Sequence, residues 1–434
     1  MPKKFLFLQG CTSNFFHLLA GELRARGHHT SRINFNMGDR LFGHSHDLTW
    51  NYPGTAEDFH AALMDWVQQH GITDMVMLGD TRPMHNSACQ VARQLNLTTH
   101  IFEEGYLRPY WLTLERGGIN GYSPLPKDPD WYRRAAAALP EPEHTPIQAN
   151  SVPLLAAWEL AYHVPNLLNP LFFPGYRTHR PVISGLEFWG WATRFARMPW
   201  YRRCDQAAID RLLHSGQPFY LFPLQLDGDS QIVHHTRFAS IAGAIDMVLQ
   251  SFAAHAPADA RLVIKNHPLD TGLNRYQRHI RQLARQLNIA QRVLYLESGN
   301  LEVLSQQAQG MVTINSTVGL SALACGLPLM ALGKAIYDLP GLTWQGDLDT
   351  FWQTPTRPDT GLFACFRKVV MHTTQINGGF YSRAGRVLAV RHAAQALEAP
   401  YSRLQALLQE TADIEQKAPQ TPDAKPETPN ICTD

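Results

Sequence analysis

Three short apolar runs in the second half of the chain each give way to polar, chemically capable residues, and this constrains the fold more than any other feature. Phe219-Tyr-Leu-Phe-Pro-Leu224 passes into Gln225-Leu-Asp-Gly-Asp-Ser-Gln231. Arg261-Leu-Val-Ile264 passes into Lys265-Asn-His-Pro268, and Gly310-Met-Val-Thr-Ile314 into Asn315-Ser-Thr317. Apolar runs of this length are the mark of parallel strands buried on both faces. Open α/β sheets bind ligands off the carboxyl ends of such strands. Carboxylates, a Lys/His pair and hydroxyls beside a helix start suit an anionic, phosphate-bearing ligand.

The rest of the chain follows the same alternation. Strands are predicted over 5–9, 30–35, 74–78 and 98–102, with helices over 15–26, 56–70 and 86–95 between them. Strands near 219–224, 261–266, 293–296, 311–314 and 328–331 repeat the plan. Alternation of this kind implies parallel sheets with right-handed crossovers. The expected fold is α/β, two Rossmann-like domains facing across a cleft. The boundaries are an N-terminal Rossmann-like domain over 1–123 and a proline-rich helical insertion or connector over 124–215. A second Rossmann-like domain spans 216–385, a closing helix 386–416, and a Pro/Thr/Asp-rich disordered tail 417–434.

Composition narrows the function. A formal net charge of +1 gives no support to bulk nucleic-acid binding. The six cysteines are scattered without C-x-x-C or zinc spacing, which reads as reduced thiols in a cytoplasmic protein. The apolar run at residues 5–8 is too short for a signal-peptide core, and no stretch approaches the roughly 20 apolar residues that span a bilayer.

Five constellations carry the candidate chemistry. Glu103-Glu-Gly-Tyr-Leu-Arg-Pro109 follows a predicted strand, so Glu103 and Glu104 point in opposite directions and one can face the cleft as a general acid or base. The other is then structural, as in a pair with Arg108. In Gln225-Leu-Asp-Gly-Asp-Ser230 the paired acids could hold a metal, but the rest of a calcium loop is missing, and a nucleophilic carboxylate is the sharper reading. Lys265, Asn266, His267 and Pro268 stand where a phosphate or leaving group would be neutralised, against the plainer reading of a turn with a structural histidine. Ser316 and Thr317, after Asn315, sit at a helix start and offer hydroxyls and backbone N–H groups, against the plainer reading of an ordinary cap. Glu297, after the 293–296 strand, is a candidate for ribose hydroxyls. Finally, residues 187–203 interleave Trp189, Trp191, Trp200 and Tyr201 with Arg194, Arg197, Arg202 and Arg203. This suits a membrane interface with anionic headgroups, or a helix whose aromatics are core.

Several of these motifs, with Phe7-Leu-Gln-Gly10, Ile33-Asn-Phe-Asn36 followed by Gly38 and Asp39, and Thr113-Leu-Glu-Arg-Gly-Gly-Ile-Asn-Gly-Tyr122, resemble bacterial capsule polysaccharide biosynthesis proteins of the KpsS/LipB type. The resemblance runs to about residue 400. It implies a GT-B-like glycosyltransferase, a retaining β-Kdo transferase that uses CMP-β-Kdo and starts the capsule linker on a lysophosphatidylglycerol-type lipid. It also implies peripheral placement on the cytoplasmic face of the inner membrane and a KpsC-like Kdo transferase as partner.

On the same resemblance, Gln225 and Asp229 match a Gln-x-x-x-Asp loop, which selects Asp229 over Asp227 as nucleophile. His267-Pro268 and Ser316-Thr317 match the CMP motifs, with Ser230 beside them. Glu103 is favoured as acid/base by a Glu-Asp-Gly variant in relatives, with Glu104 adjacent. Gln9, Gly10, Asn36 and Arg108 fall on the acceptor side. CMP is a good leaving group, so no metal or other cofactor is required. The rival readings are a sialyltransferase-like enzyme or nucleotide-sugar epimerase on the same plan, and a non-catalytic adaptor of a capsule export complex.

Overall fold

A computed structural model describes residues 2–43, 47–146, 152–177, 184–226, 238 and 240–417. The first sheet contains β1 (Lys4–Phe7), β2 (His29–Asn34), β3 (Leu48–Asn51), β4 (Asp74–Leu78), β5 (Thr98–Glu104), β6 (Trp111–Arg116) and β12 (Gln375–Asn377), in the order β12-β6-β5-β4-β1-β2-β3. The second contains β7 (Phe219–Pro223), β8 (Arg261–Lys265), β9 (Val293–Leu296), β10 (Gly310–Thr313) and β11 (Leu329–Ala331), in the order β11-β10-β7-β8-β9. Counted within each half, the five parallel strands of both sheets have the same doubly wound order, 3-2-1-4-5. The fold is thus two Rossmann-like domains.

Alternate side chains enter opposite layers, as strand geometry requires. Phe5 and Phe7 pack with α1 (Phe15–Ala25) and helix Arg383–Glu398, whereas Leu6 and Leu8 pack with α3 (Phe59–His70) and α4 (Pro83–Gln94). In the second sheet Leu221 and Val263 face one core and Phe222 and Ile264 the other. A strand with both faces covered has no polar face to show, which is why the alternation of strand sequences was hidden.

The structure corrects the sequence reading in four places. The first sheet is mixed, because β6 runs antiparallel to β5 and β12 antiparallel to β6. A short edge strand, β3, and a one-and-a-half-turn helix, α2 (Met37–Phe42), were not anticipated. The second domain, carried to residue 385 in the sequence reading, ends earlier: Gln375 pairs with Thr113 and Asn377 with Trp111 in the first sheet. The single closing helix is two, Arg383–Glu398 and Arg403–Lys417, because Pro400 holds Ala399 in extended geometry with ψ 141°. The first packs on the N-terminal sheet and the second returns Leu404 and Leu407 to the core of the other domain.

The insertion is helical: α5 (Pro129–Ala138), α6 (Val152–His163), α7 (Asn169–Phe172) and α8 (Ser184–Ser215). Among the described residues no helix is long and apolar enough to cross a membrane. Of the tail read as disordered over 417–434, Lys417 ends the last helix and 418–434 lie outside the described residues.

Candidate active site

The strand order of the second sheet reverses between β7 and β10, and a crevice opens at such a switch point. Two predicted residues meet there. Gln225, buried at the end of β7, donates from Nε2 to Asn315 Oδ1 at 3.1 Å and accepts the Asn315 N–H at 3.2 Å. The two strand ends are therefore locked together by side chain and backbone. Asp229 and Ser230, with Asp227, lie outside the described residues.

Ser316 and Thr317 are half-buried at the start of helix Val318–Ala324. Ser316 Oγ accepts the Val318 N–H at 3.3 Å, while Thr317 makes no side-chain cap bond. Tyr337 crosses beneath them and donates to the Ser316 carbonyl at 2.6 Å. Gly319 is the residue that admits this tyrosine, because a Cβ there would collide with its ring.

The His-Pro loop is held from an unexpected quarter. Arg194, on α8, is buried. Its guanidinium donates to the backbone carbonyls of His267 and Pro268 (both 3.1 Å) and of Asp270, and pairs with the Glu297 carboxylate at 3.1 Å. Asn266 adds Nδ2 bonds to Asp270 and Glu297, both 3.0 Å, while its Oδ1 accepts the His267 N–H at 2.8 Å. The other Glu297 oxygen accepts the Tyr295 hydroxyl at 3.1 Å.

Glu297, half-buried, accepts protein donors at both oxygens. One reading is corrected here: Arg194 is a buried clamp rather than a headgroup contact. Its neighbours Arg197, Arg202, Arg203, Trp189 and Trp200 are exposed, and the Trp191 side chain lies outside the described residues.

His267 is thereby presented in a defined state. Burial, and then the charges of Lys265, Arg194 and Arg108, push its pKa down to about 4. Nδ1 accepts the Leu269 N–H at 3.1 Å, which leaves the ring proton on Nε2. At neutral pH His267 is an uncharged single donor. Lys265 is buried and its pKa is lowered, first by burial and then by Arg194. Pro268 is exposed beside it.

In the first domain Glu103 and Glu104 close β5 on opposite faces, as expected. Gly105 follows because any Cβ there would strike the Trp111 carbonyl. Glu103 Oε1 accepts the Glu104 N–H at 3.1 Å. Shielding from water raises the Glu104 pKa and the exposed Arg108 draws it back. Cys11 is raised by burial and, further down, by Glu104. Both glutamates are half-buried.

Two of the residues predicted on the acceptor side, Gln9 and Asn36, join a buried polar knot. Tyr162 of α6 donates to Asp39 at 2.7 Å and accepts from Gln9 Nε2 at 2.9 Å and Asn36 Nδ2 at 3.1 Å. Asn36 is fully buried and its Oδ1 caps α2 through the Asp39 N–H at 2.8 Å, so it shapes the wall without facing a ligand. Asp39 is raised and Arg32 lowered by burial, each offset by the other's charge. Arg82 reaches Gln9 Oε1 at 3.0 Å, and Gly10 lies directly against the Phe16 ring. Tyr162, Arg82, Arg194 and Asp205, which accepts the Glu297 and Ser298 N–H groups at 3.1 and 2.8 Å, carry no local sequence signal for these roles.

A cavity of about 310 Å³ lies between the domains, lined by Asn120, Ser123 and Lys127 on one side and Lys334, Ile336 and Asp338 on the other. Lys127 closes its floor with bonds to the Ala335 and Ile336 carbonyls at 2.6 and 3.2 Å. Neither Glu104 nor His267 lines it.

The family model described as capsule polysaccharide biosynthesis protein matches residues 73–381. The capsule polysaccharide modification protein LipB of Neisseria meningitidis serogroup B is 37% identical over 388 residues, covering 87% of this chain and 91% of that protein. The capsule polysaccharide export protein KpsS of Escherichia coli is 35% identical over 382 residues, covering 87% and 97%. Among solved structures, the Thermosulfurimonas dismutans KpsC beta Kdo 2,7 transferase aligns over 95% of this chain and 100% of its own, with 12% identity and a TM-score of 0.40.

Proposed function

The chain belongs to the capsule polysaccharide biosynthesis protein family, and from that premise we propose that it is a retaining glycosyltransferase that moves Kdo from CMP-β-Kdo to a lysophosphatidylglycerol-type lipid. The observation that carries the reading is the switch point of the second sheet, where Gln225 at the end of β7 is locked to Asn315 at 3.1 and 3.2 Å, with the His-Pro loop after the neighbouring β8 and Ser316-Thr317 after β10. His267 there keeps its Nε2–H as a donor because Nδ1 accepts the Leu269 N–H. Polar donors gathered at such strand ends suit the phosphate of a nucleotide sugar.

In the first step the Asp229 carboxylate attacks the anomeric carbon, and the bond from that carbon to the phosphate oxygen breaks. His267 Nε2–H, Lys265, and the N–H and hydroxyl groups at Ser316 and Thr317 stabilise the charge that collects on CMP. In the second step the acceptor hydroxyl attacks the same carbon from the vacated side, Glu104 takes its proton, and the Asp229 carboxylate departs. Two inversions give net retention. CMP leaves readily as a phosphate monoester, so the scheme asks for no metal. The lipid acceptor places the protein at the cytoplasmic surface of the inner membrane, where a KpsC-like transferase would extend the product.

Incubation with CMP-Kdo and a detergent-soluble lipid-glycerophosphate, followed by product mass, tests the reading directly. Wild-type protein should add one Kdo, and Asp229→Ala should not. Transfer from CMP-sialic acid or a UDP-sugar instead would assign a different donor. Turnover of Asp229→Ala at the wild-type rate would remove the double displacement.

A further inference from the structure

Residues 164–172 are folded inside out. They form a 3-10 segment, Val164–Leu168, running into α7. Their polar side chains turn inward: Asn166 Oδ1 accepts the Gly38 N–H at 2.8 Å and Asn169 Oδ1 the Met37 N–H at 2.9 Å, where α2 begins. Their apolar side chains turn outward. Leu167 and Leu171 are 78% and 76% exposed, and Val164, Leu168 and Phe172 about half exposed. Leu160 on α6 and Leu41 on α2 extend the ridge. Scattered exposed leucines need no explanation, but a contiguous ridge whose polar partners are spent on the interior does.

The surroundings say what covers it. Residues 160–177 contain no Asp or Glu. Arg40, exposed, lies over the Phe172 ring at 5.4 Å, and Arg177 is exposed at the end of the segment. An apolar ridge flanked by arginines, whose one sequence-adjacent carboxylate, Glu159, is paired with His163 at 3.2 Å, complements the headgroup and upper acyl region of an anionic bilayer.

The ridge is also rooted at the acceptor side of the cleft. The turn before it carries Tyr162 into the Gln9/Asn36/Asp39 knot, and Glu159 accepts the Thr12 hydroxyl at 2.9 Å. We propose that residues 160–172 are the surface by which this protein seats on an anionic membrane, so that a lipid headgroup rises directly into the acceptor side. The proposal rests on the transferase reading only for the role of that lipid as acceptor.

The test is flotation with phosphatidylcholine vesicles, with and without phosphatidylglycerol, for wild type, for Leu167→Asn/Leu171→Asn, and for Trp189→Gln/Trp200→Gln on α8. Wild type should float with the anionic vesicles and be released by salt. Each leucine withdrawn from a hydrophobic interface costs roughly tenfold in affinity, so the leucine pair should bind roughly a hundredfold more weakly. It should keep its thermal melt and its turnover of a short-chain soluble acceptor, while the tryptophan pair still floats. The proposal is overturned if the leucine pair floats like wild type, if only the tryptophan pair is released, or if wild type ignores vesicles and sedimentation shows a dimer that the leucine pair abolishes. Salt-sensitive flotation with no transfer from any nucleotide sugar would remove the transferase reading and leave the membrane surface standing.

Discussion

Replacing Arg194 by glutamine tests whether α8 acts as the clamp of the His-Pro loop. The wild-type guanidinium satisfies three backbone carbonyls of the loop and one half-buried carboxylate at once. The variant leaves Glu297 with only neutral donors, Asn266 and Tyr295, at its oxygens. Breaking a buried ion pair from one side costs about 3–5 kcal/mol. At roughly 2.1 cal/mol/K per residue over 434 residues, a chain that melts as a unit should lose about 3 to 6 °C in Tm. A merely structural residue would do as much, so the decisive readout is His267. Removing a positive charge and loosening the loop should raise its pKa from about 4 toward the ordinary value of 6.5, visible as a pH titration of its ring proton by NMR. CMP affinity by calorimetry should fall at least about tenfold, since the donor is no longer pre-oriented. Arg194→Lys should not rescue it, because one ammonium cannot span four acceptors set out for a planar fork. An unchanged melt together with an unchanged His267 titration would refute the clamp.

Two further outcomes follow from the carboxyls. Glu104→Gln should lower transfer by roughly 10²–10⁴ while Glu103→Gln costs less than about tenfold, measured by product mass; the opposite ranking would move the base to Glu103. Glu115, buried against Tyr106 and Ser123, has its pKa pushed up by burial to about 7 from an ordinary 4.5. Between those values the folded chain holds a proton that the unfolded chain has released, so stability falls as pH rises through the window, by roughly 3 kcal/mol. Glu115→Gln mimics the protonated form and should flatten that slope in denaturant titrations at pH 5 and pH 8; an unchanged slope would show that the carboxyl is already ionised when folded.

The parallel core of both sheets could be read from the chain because those strands are local apolar runs ending in polar residues, whereas β3, β6 and β12 were not read. The strand-end positions of Gln225, His267 and Ser316 were legible in this way, and so was the opposed pair Glu103 and Glu104. Local pattern could not show that burial raises the pKa of Glu104, since that depends on what tertiary packing brings beside it. Nor could it foresee that β12, more than 250 residues away, would pair with β6, because an antiparallel edge has the same side-chain period as a parallel one. Arg194 read as a headgroup contact and Glu297 as a ribose contact, and only their meeting across 103 residues turned the first into a clamp held on the second. The same holds for residues 164–172. Their leucines and asparagines read as an ordinary helical connector, and tertiary contact with the start of α2 decided that the amides turn in and the leucines out.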